Sequence, residues 1–307
     1  MPNKYAEIDQ WTEEEIALFK EMDDPFLYHE YNHDVSVNRE LKRSLKIKKI
    51  KHKKKEKHKS LTVISEGDSW FNYKVSVDII DCLRLFHGYK IKNYASPGDT
   101  LENMIYGTQT NRNFERITSQ ITVILERVKR ERPDVFLFSG AGNDIAGEYF
   151  HTFLHHSDAC LGVLKRGFAI NTITVVFRKY YQDLIHFITN ASPNTHIFTH
   201  GYGYARPTGE GVGILGVSFI GPWLLPVLGR KGINPHFEGR YAIEELIDLF
   251  NNMLQELDNE HENFHFVDLR YIIDDDDWRD ELHLKSSAFR LVSDQFDLAI
   301  ERVYSSD

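Results

Sequence analysis

From residue 60 onward, short β-branched apolar runs alternate with longer stretches whose apolar residues recur every three or four positions. Few architectures accommodate that alternation. Leu61–Ser65, Tyr89–Tyr94, Val135–Phe138, Thr195–Thr199 and Phe264–Leu269 read as five buried strands. Between them, Val75–Phe86 and Ile170–Ile188 read as helices. Phe114, Ile117, Ile121, Ile124, Leu125 and Val128 share one helical face, and Pro133 stops that pattern. Ile243, Leu246, Ile247, Phe250, Met253, Leu254 and Leu257 form a second stripe. Phe289, Val292, Phe296, Ala299 and Val303 form a third, with Ser286 or Ser287 as its N-cap. Strands alternating with amphipathic helices predict a five-stranded parallel sheet covered on both faces, a three-layer α/β/α domain.

The chain of 307 residues is 41% apolar, enough to fill such a core. The domain is expected to occupy residues 60–307, with insertions near 145–170 and 201–237. Residues 1–59 read as an N-terminal extension, in which Thr12-Glu13-Glu14-Glu15 resembles a capping box opening a short helix. From Lys42 to Lys59 there are eleven Lys or Arg and one acid, a local charge of +10. Taking that from the net charge of −9 leaves −19 on the rest of the chain. The run has no aromatic residue to stack on bases, so it reads as a solvated connector and no nucleic-acid partner is expected. Two distant cysteines, Cys82 and Cys160, and a polar start without a signal-peptide pattern predict a cytoplasmic location.

In doubly wound sheets, ligands bind beyond the carboxyl ends of the strands, so chemistry is sought there. Glu66-Gly67-Asp68-Ser69-Trp70 follows the first strand, where a glycine lets the chain bend sharply and expose a serine hydroxyl. Ser96-Pro97-Gly98-Asp99-Thr100 follows the second; Gly98 leaves a backbone N–H open, and Asp99 or Thr100 can cap the next helix. Ser139-Gly140-Ala141-Gly142-Asn143-Asp144 follows the third and offers the Asn143 amide as a donor. Asp280-Glu281-Leu282-His283 follows the fifth. An Asp three residues before a His can accept from Nδ1–H, which leaves Nε2 free to face a serine.

Serine, glycine, asparagine and histidine in this order, each after a strand, resemble the blocks of the SGNH or GDSL hydrolases. The matching residues are Gly67-Asp68-Ser69-Trp70, Gly98, Gly142-Asn143-Asp144 and Asp280-Glu281-Leu282-His283. Trp70 stands where the family usually has leucine, and Ala141 where it commonly has glycine. The resemblance implies a flavodoxin-like fold and a serine esterase acting on a small-molecule ester, such as an acylated sugar or a lysophospholipid. It further implies Ser69 as nucleophile, His283 as base and Asp280 as its orienter. The N–H groups of Ser69 and Gly98, with the Asn143 side chain, would form the oxyanion hole, and neither metal nor organic cofactor is called for. A catalytically idle glycan- or lipid-binding domain is the competing reading; a flavodoxin-like nucleotide binder is disfavoured because Glu66 and Asp68 stand where phosphate would sit.

Gly211–Gly229 has no ionisable side chain, but five glycines and two prolines argue against a membrane-spanning helix. It reads either as an insertion beside the site, with Trp70, Phe219, Trp223 and Leu224 as substrate-pocket residues, or as a hydrophobic loop that only completes the core, with weak peripheral membrane contact as a minor alternative. His151, His155 and His156, near Asp158 and Cys160, match no zinc spacing, and Asp274–Asp277 lacks the alternation of a calcium loop.

Overall fold

The computed structural model describes residues 61–214 and 217–304, with the side chains of 213–219 outside that set. The expected extension of residues 1–59, its helix and its lysine run lie outside the described residues. Five strands, β1 (Thr62–Gly67), β2 (Lys90–Asn93), β3 (Val135–Ser139), β4 (His196–His200) and β7 (Phe264–Val267), form one parallel sheet in the order β2-β1-β3-β4-β7. The two intervening strands, β5 (Val212–Ile214) and β6 (Val217–Ile220), form a separate antiparallel hairpin.

Side-chain alternation along the strands builds two cores. Ile64, Phe136, Phe138, Ile197 and Phe264 face one side, where they meet helices α2 (Leu101–Tyr106), α3 (Gln120–Glu131), α7 (Arg178–Ala191) and α9 (Arg240–Glu260). Val63, Val135, Leu137, Phe198 and Val267 face the other, against α1 (Ile79–Cys82) and α10 (Ser286–Tyr304). The three-layer α/β/α arrangement is therefore the one expected. Shorter helices complete the helical set: α4 (Gly142–Ile145), α5 (Phe150–Phe153), α6 (Arg166–Asn171) and α8 (Leu225–Arg230). No helix among the described residues is long and apolar enough to cross a membrane.

Four local expectations are corrected. Helix α3 starts at Gln120, not near Phe114. The Asn111 side chain accepts the N–H of Asn113 and Glu115, and this turn competes with the helix, leaving Phe114 at φ 62° and exposed. Helix α1 starts at Ile79, not Val75, because Asp78 caps it reciprocally with Asp81, and it then widens into a π-helical turn over Leu83–His87. The helix expected over Ile170–Ile188 runs from Arg166 to Ala191 through a π-helical segment, Thr172–Phe177. Ser286 is the first residue of α10 and not its cap; its hydroxyl lies 2.5 Å from that of Ser76.

On the α10 side, His87 sits between two carboxylates, with Nδ1 2.8 Å from Asp297 and Nε2 3.1 Å from Asp294. Tyr89 donates to Asp297, and Arg290 approaches both His87 and Asp294. Burial opposes the imidazolium, but hydrogen bonds to Asp294 and Asp297 outweigh it and raise the His87 pKa. A raised pKa stabilises the fold fully below the unfolded value of about 6.5, and that contribution is lost as pH rises through the folded value. The difference in urea midpoint between wild type and His87→Gln is expected to be largest near pH 6 and to shrink toward pH 9.

Candidate active site

Ser69 lies in the turn that leaves β1. The Asp68 carbonyl accepts the N–H of Phe71 and of Asn72, each at 3.1 Å, and the Asp68 carboxylate accepts the Trp70 N–H at 3.0 Å. Asp68 is buried, and the same carboxylate oxygen accepts the Ser139 hydroxyl at 2.8 Å. Tyr202 brings its hydroxyl to 3.3 Å from the other oxygen and accepts the Gly142 N–H at 3.1 Å. Gly67 is required by close approach: a Cβ there would lie 2.9 Å from both Cβ and O of Ser139.

The second and third blocks meet beside this turn. Gly98 has φ 79°, following Pro97 in a turn closed by the Asp99 N–H on Ser96 O at 3.2 Å. Of the two caps considered for α2, Thr100 is the one used. The Asn143 Nδ2 donates to Asp99 O at 2.9 Å, which ties the two blocks together. The Leu101 N–H donates to Asp144 at 2.8 Å; burial is the main cause that raises the Asp144 pKa to about 7. Ala141, at the usual glycine position, adopts φ 86°, a left-handed conformation that costs an L-residue about 1–2 kcal/mol.

His283 arrives on the long connection between β7 and α10. Its Nε2 is 2.8 Å from Ser69 Oγ, and its Nδ1 is 2.9 Å from Asp280 Oδ1. Asp280 also accepts the N–H of Leu282 at 2.9 Å, the N–H of His283 at 2.8 Å and the Tyr73 hydroxyl at 3.0 Å. Burial disfavours the Asp280 carboxylate, but these bonds, foremost that to His283, hold its pKa below the usual range. The Tyr73 ring stacks on the imidazole with centroids 4.2 Å apart, and Trp223 meets it edge-on at 5.6 Å. His200, the last residue of β4, is buried and lies 2.9 Å from Ser139 Oγ; its ring stacks on Trp70. The geometry thus brings Ser69, His283 and Asp280 into one hydrogen-bonded line, with Asn143 and Gly98 in linked loops.

A pocket of about 90 Å³ opens at Ser69. Trp70 and Leu224 line it, and the Trp70 Nε1–H also donates to Leu282 O at 3.0 Å, joining the serine turn to the histidine loop. Trp223 is not among its walls and packs on His283 instead, which corrects that assignment; the Phe219 side chain lies outside the described residues. Much of the wall is Ile243, Leu246, Ile247 and Phe250 of α9, which the sequence marks only as a helical stripe. Tyr73, Tyr202 and Glu281 also escape sequence reasoning, because their partners lie far away in the chain. Among the described residues, no group of three or more His, Cys, Asp or Glu is arranged to hold a metal ion.

Gly67→Ala is expected to lower unfolding stability by about 1–3 kcal/mol, the usual range for overpacking. Urea denaturation reads this, and an unchanged midpoint would count against the close approach of β1 and β3.

No protein-family model matches the sequence, and no curated protein matches it. Among solved structures, the chain is similar to an extracellular lipase from Streptomyces rimosus at 14% identity and TM-score 0.51, over 78% of this chain and 100% of the lipase. It is also similar to the lipase Lip_vut3 from a goat rumen metagenome, at 12% identity and TM-score 0.49 over 78% and 97% of the two chains. A carbohydrate acetylesterase family member from Sinorhizobium meliloti aligns at 14% identity and TM-score 0.46, over 80% and 99%. With strand order β2-β1-β3-β4-β7 and the four blocks at the carboxyl ends of β1, β2, β3 and β7, the chain has the SGNH hydrolase fold.

Proposed function

We propose that this protein is a serine esterase that cleaves a carboxylic ester carrying a short apolar acyl group. The observation that carries the reading is the line Ser69–His283–Asp280, with separations of 2.8 and 2.9 Å. His283 Nε2 takes the proton as Ser69 Oγ attacks the carbonyl, and Asp280 holds the imidazole by Nδ1–H and stabilises the imidazolium. The tetrahedral oxyanion is met by the N–H groups of Ser69 and Gly98 and by Asn143 Nδ2. In support, neither backbone N–H has an acceptor among the described residues. Asn143 commits one of its two amide hydrogens to Asp99 O, which leaves the other for substrate. His283 then protonates the departing alcohol, and water, deprotonated by His283, releases the acid.

The acyl group is assigned to the pocket at Ser69. Its volume of about 90 Å³ is below the ~150 Å³ of an apolar cavity that takes benzene, which suits an acyl chain of a few carbons.

Ser69→Ala is expected to lose about 10⁴-fold or more in kcat, together with covalent labelling by a fluorophosphonate. Retained hydrolysis would remove Ser69 from the mechanism. Asn143→Ala should lower kcat by about 10²–10³-fold, the effect of one missing oxyanion donor. Across aryl esters of rising acyl length, kcat/KM should climb about 4-fold per methylene, since each buried CH₂ contributes about 0.8 kcal/mol. It should stop climbing once the pocket is full; a flat profile from acetyl upward would remove the pocket assignment.

A further inference from the structure

Between Asp280 and His283 stands a second carboxylate. Glu281 is fully buried. Its Oε1 accepts the N–H of Gly209 at 2.9 Å and of Leu225 at 3.0 Å, and its Oε2 accepts the N–H of Trp223 at 2.5 Å and of Leu224 at 2.6 Å. Its own N–H donates to Glu210 O at 3.3 Å. Among the described residues no Lys or Arg comes within ion-pair distance, so backbone dipoles alone meet the buried charge. All four donors belong to the connection between β4 and α9. Gly209 precedes the β5–β6 hairpin, and Trp223, Leu224 and Leu225 lead into α8.

That connection carries two groups that matter at Ser69. Leu224 is a wall of the pocket, and Trp223 stands against the His283 ring. One side chain therefore fixes how far the pocket wall sits from the loop bearing the base. Two acceptor oxygens serving four donors is a demand that only a carboxylate meets. The isosteric amide would turn an NH₂ group toward two of those donors.

We propose that Glu281 is a positioning residue that sets acyl-chain specificity, by holding Trp223–Leu225 and Gly209 against the Asp280–His283 loop. This rests on the esterase reading above. The test compares the full-length wild type with Glu281→Gln, Leu224→Ala and Trp223→Ala on aryl esters from acetyl upward. Fluorophosphonate labelling and amide hydrogen exchange are read alongside. In Glu281→Gln, the ratio of KM for chains that fill the pocket to KM for acetyl should rise about 10-fold or more, the scale of one misplaced methylene contact. The amides of Gly209, Trp223, Leu224 and Leu225 should exchange faster than those of the sheet. Leu224→Ala should reproduce the change in KM ratio without faster exchange at Gly209. A Glu281→Gln enzyme that melts cooperatively and keeps the wild-type KM ratio overturns the proposal. If Glu281→Gln does not fold, unchanged KM ratios in both Leu224→Ala and Trp223→Ala overturn it equally. These failures are distinct from failure of the esterase reading, in which wild type itself neither hydrolyses an ester nor takes the probe.

Discussion

The buried carboxylate of Asp68 joins three strand ends. It receives the Trp70 N–H at the end of β1, the Ser139 hydroxyl at the end of β3, and the approach of the Tyr202 hydroxyl just past β4. An ionised group taken from water is costly unless each lone pair finds a donor, and a group that uses donors from three strands penalises displacement of any one. The site inherits its geometry from this junction. Ser69 projects from the same turn, and Asn143 begins four residues after Ser139.

The same device recurs at Asp280 and at Glu281. Asp280 gathers two backbone amides, one imidazole and one phenol. Glu281 gathers four backbone amides from the connection opposite. Adjacent side chains of one short loop thus reach different partners, one the His283 imidazole and the other the backbone beside the pocket wall. Aromatic rings close the remaining gaps: Tyr73 covers one face of His283, and Trp70 lies between the serine turn and the buried His200.

Much of this was legible in the sequence because it is periodic or local. The strands announce themselves by β-branched runs. The blocks after them stand out because glycine, asparagine, aspartate and histidine are unusual together at strand ends. Asp280 and His283 could be paired because a spacing of three is a local geometry. What escaped is what the chain closes over distance. Tyr73 meets Asp280 across 207 positions, and nothing around Tyr73 marks it as more than a core aromatic. Ile243 and Ile247 read as a stripe for packing, and whether a stripe meets a neighbour or an empty pocket is decided by tertiary fit. Phe114 fits the helical period, but the Asn111 turn supplies hydrogen bonds that the period cannot register.

Ser69 and His283 are separated by 214 residues, and between them the chain traverses every other strand of the sheet. Bringing such distant segments together carries a loop-closure entropy that local pairs escape. No fragment that ends before β7 can own the hydrogen bond between them. On the proposed esterase reading, turnover would therefore report the docking of the sheet's last edge strand. Proteolysis or denaturant that frees β7 from β4 would separate His283 from the turn after β1 that bears Ser69.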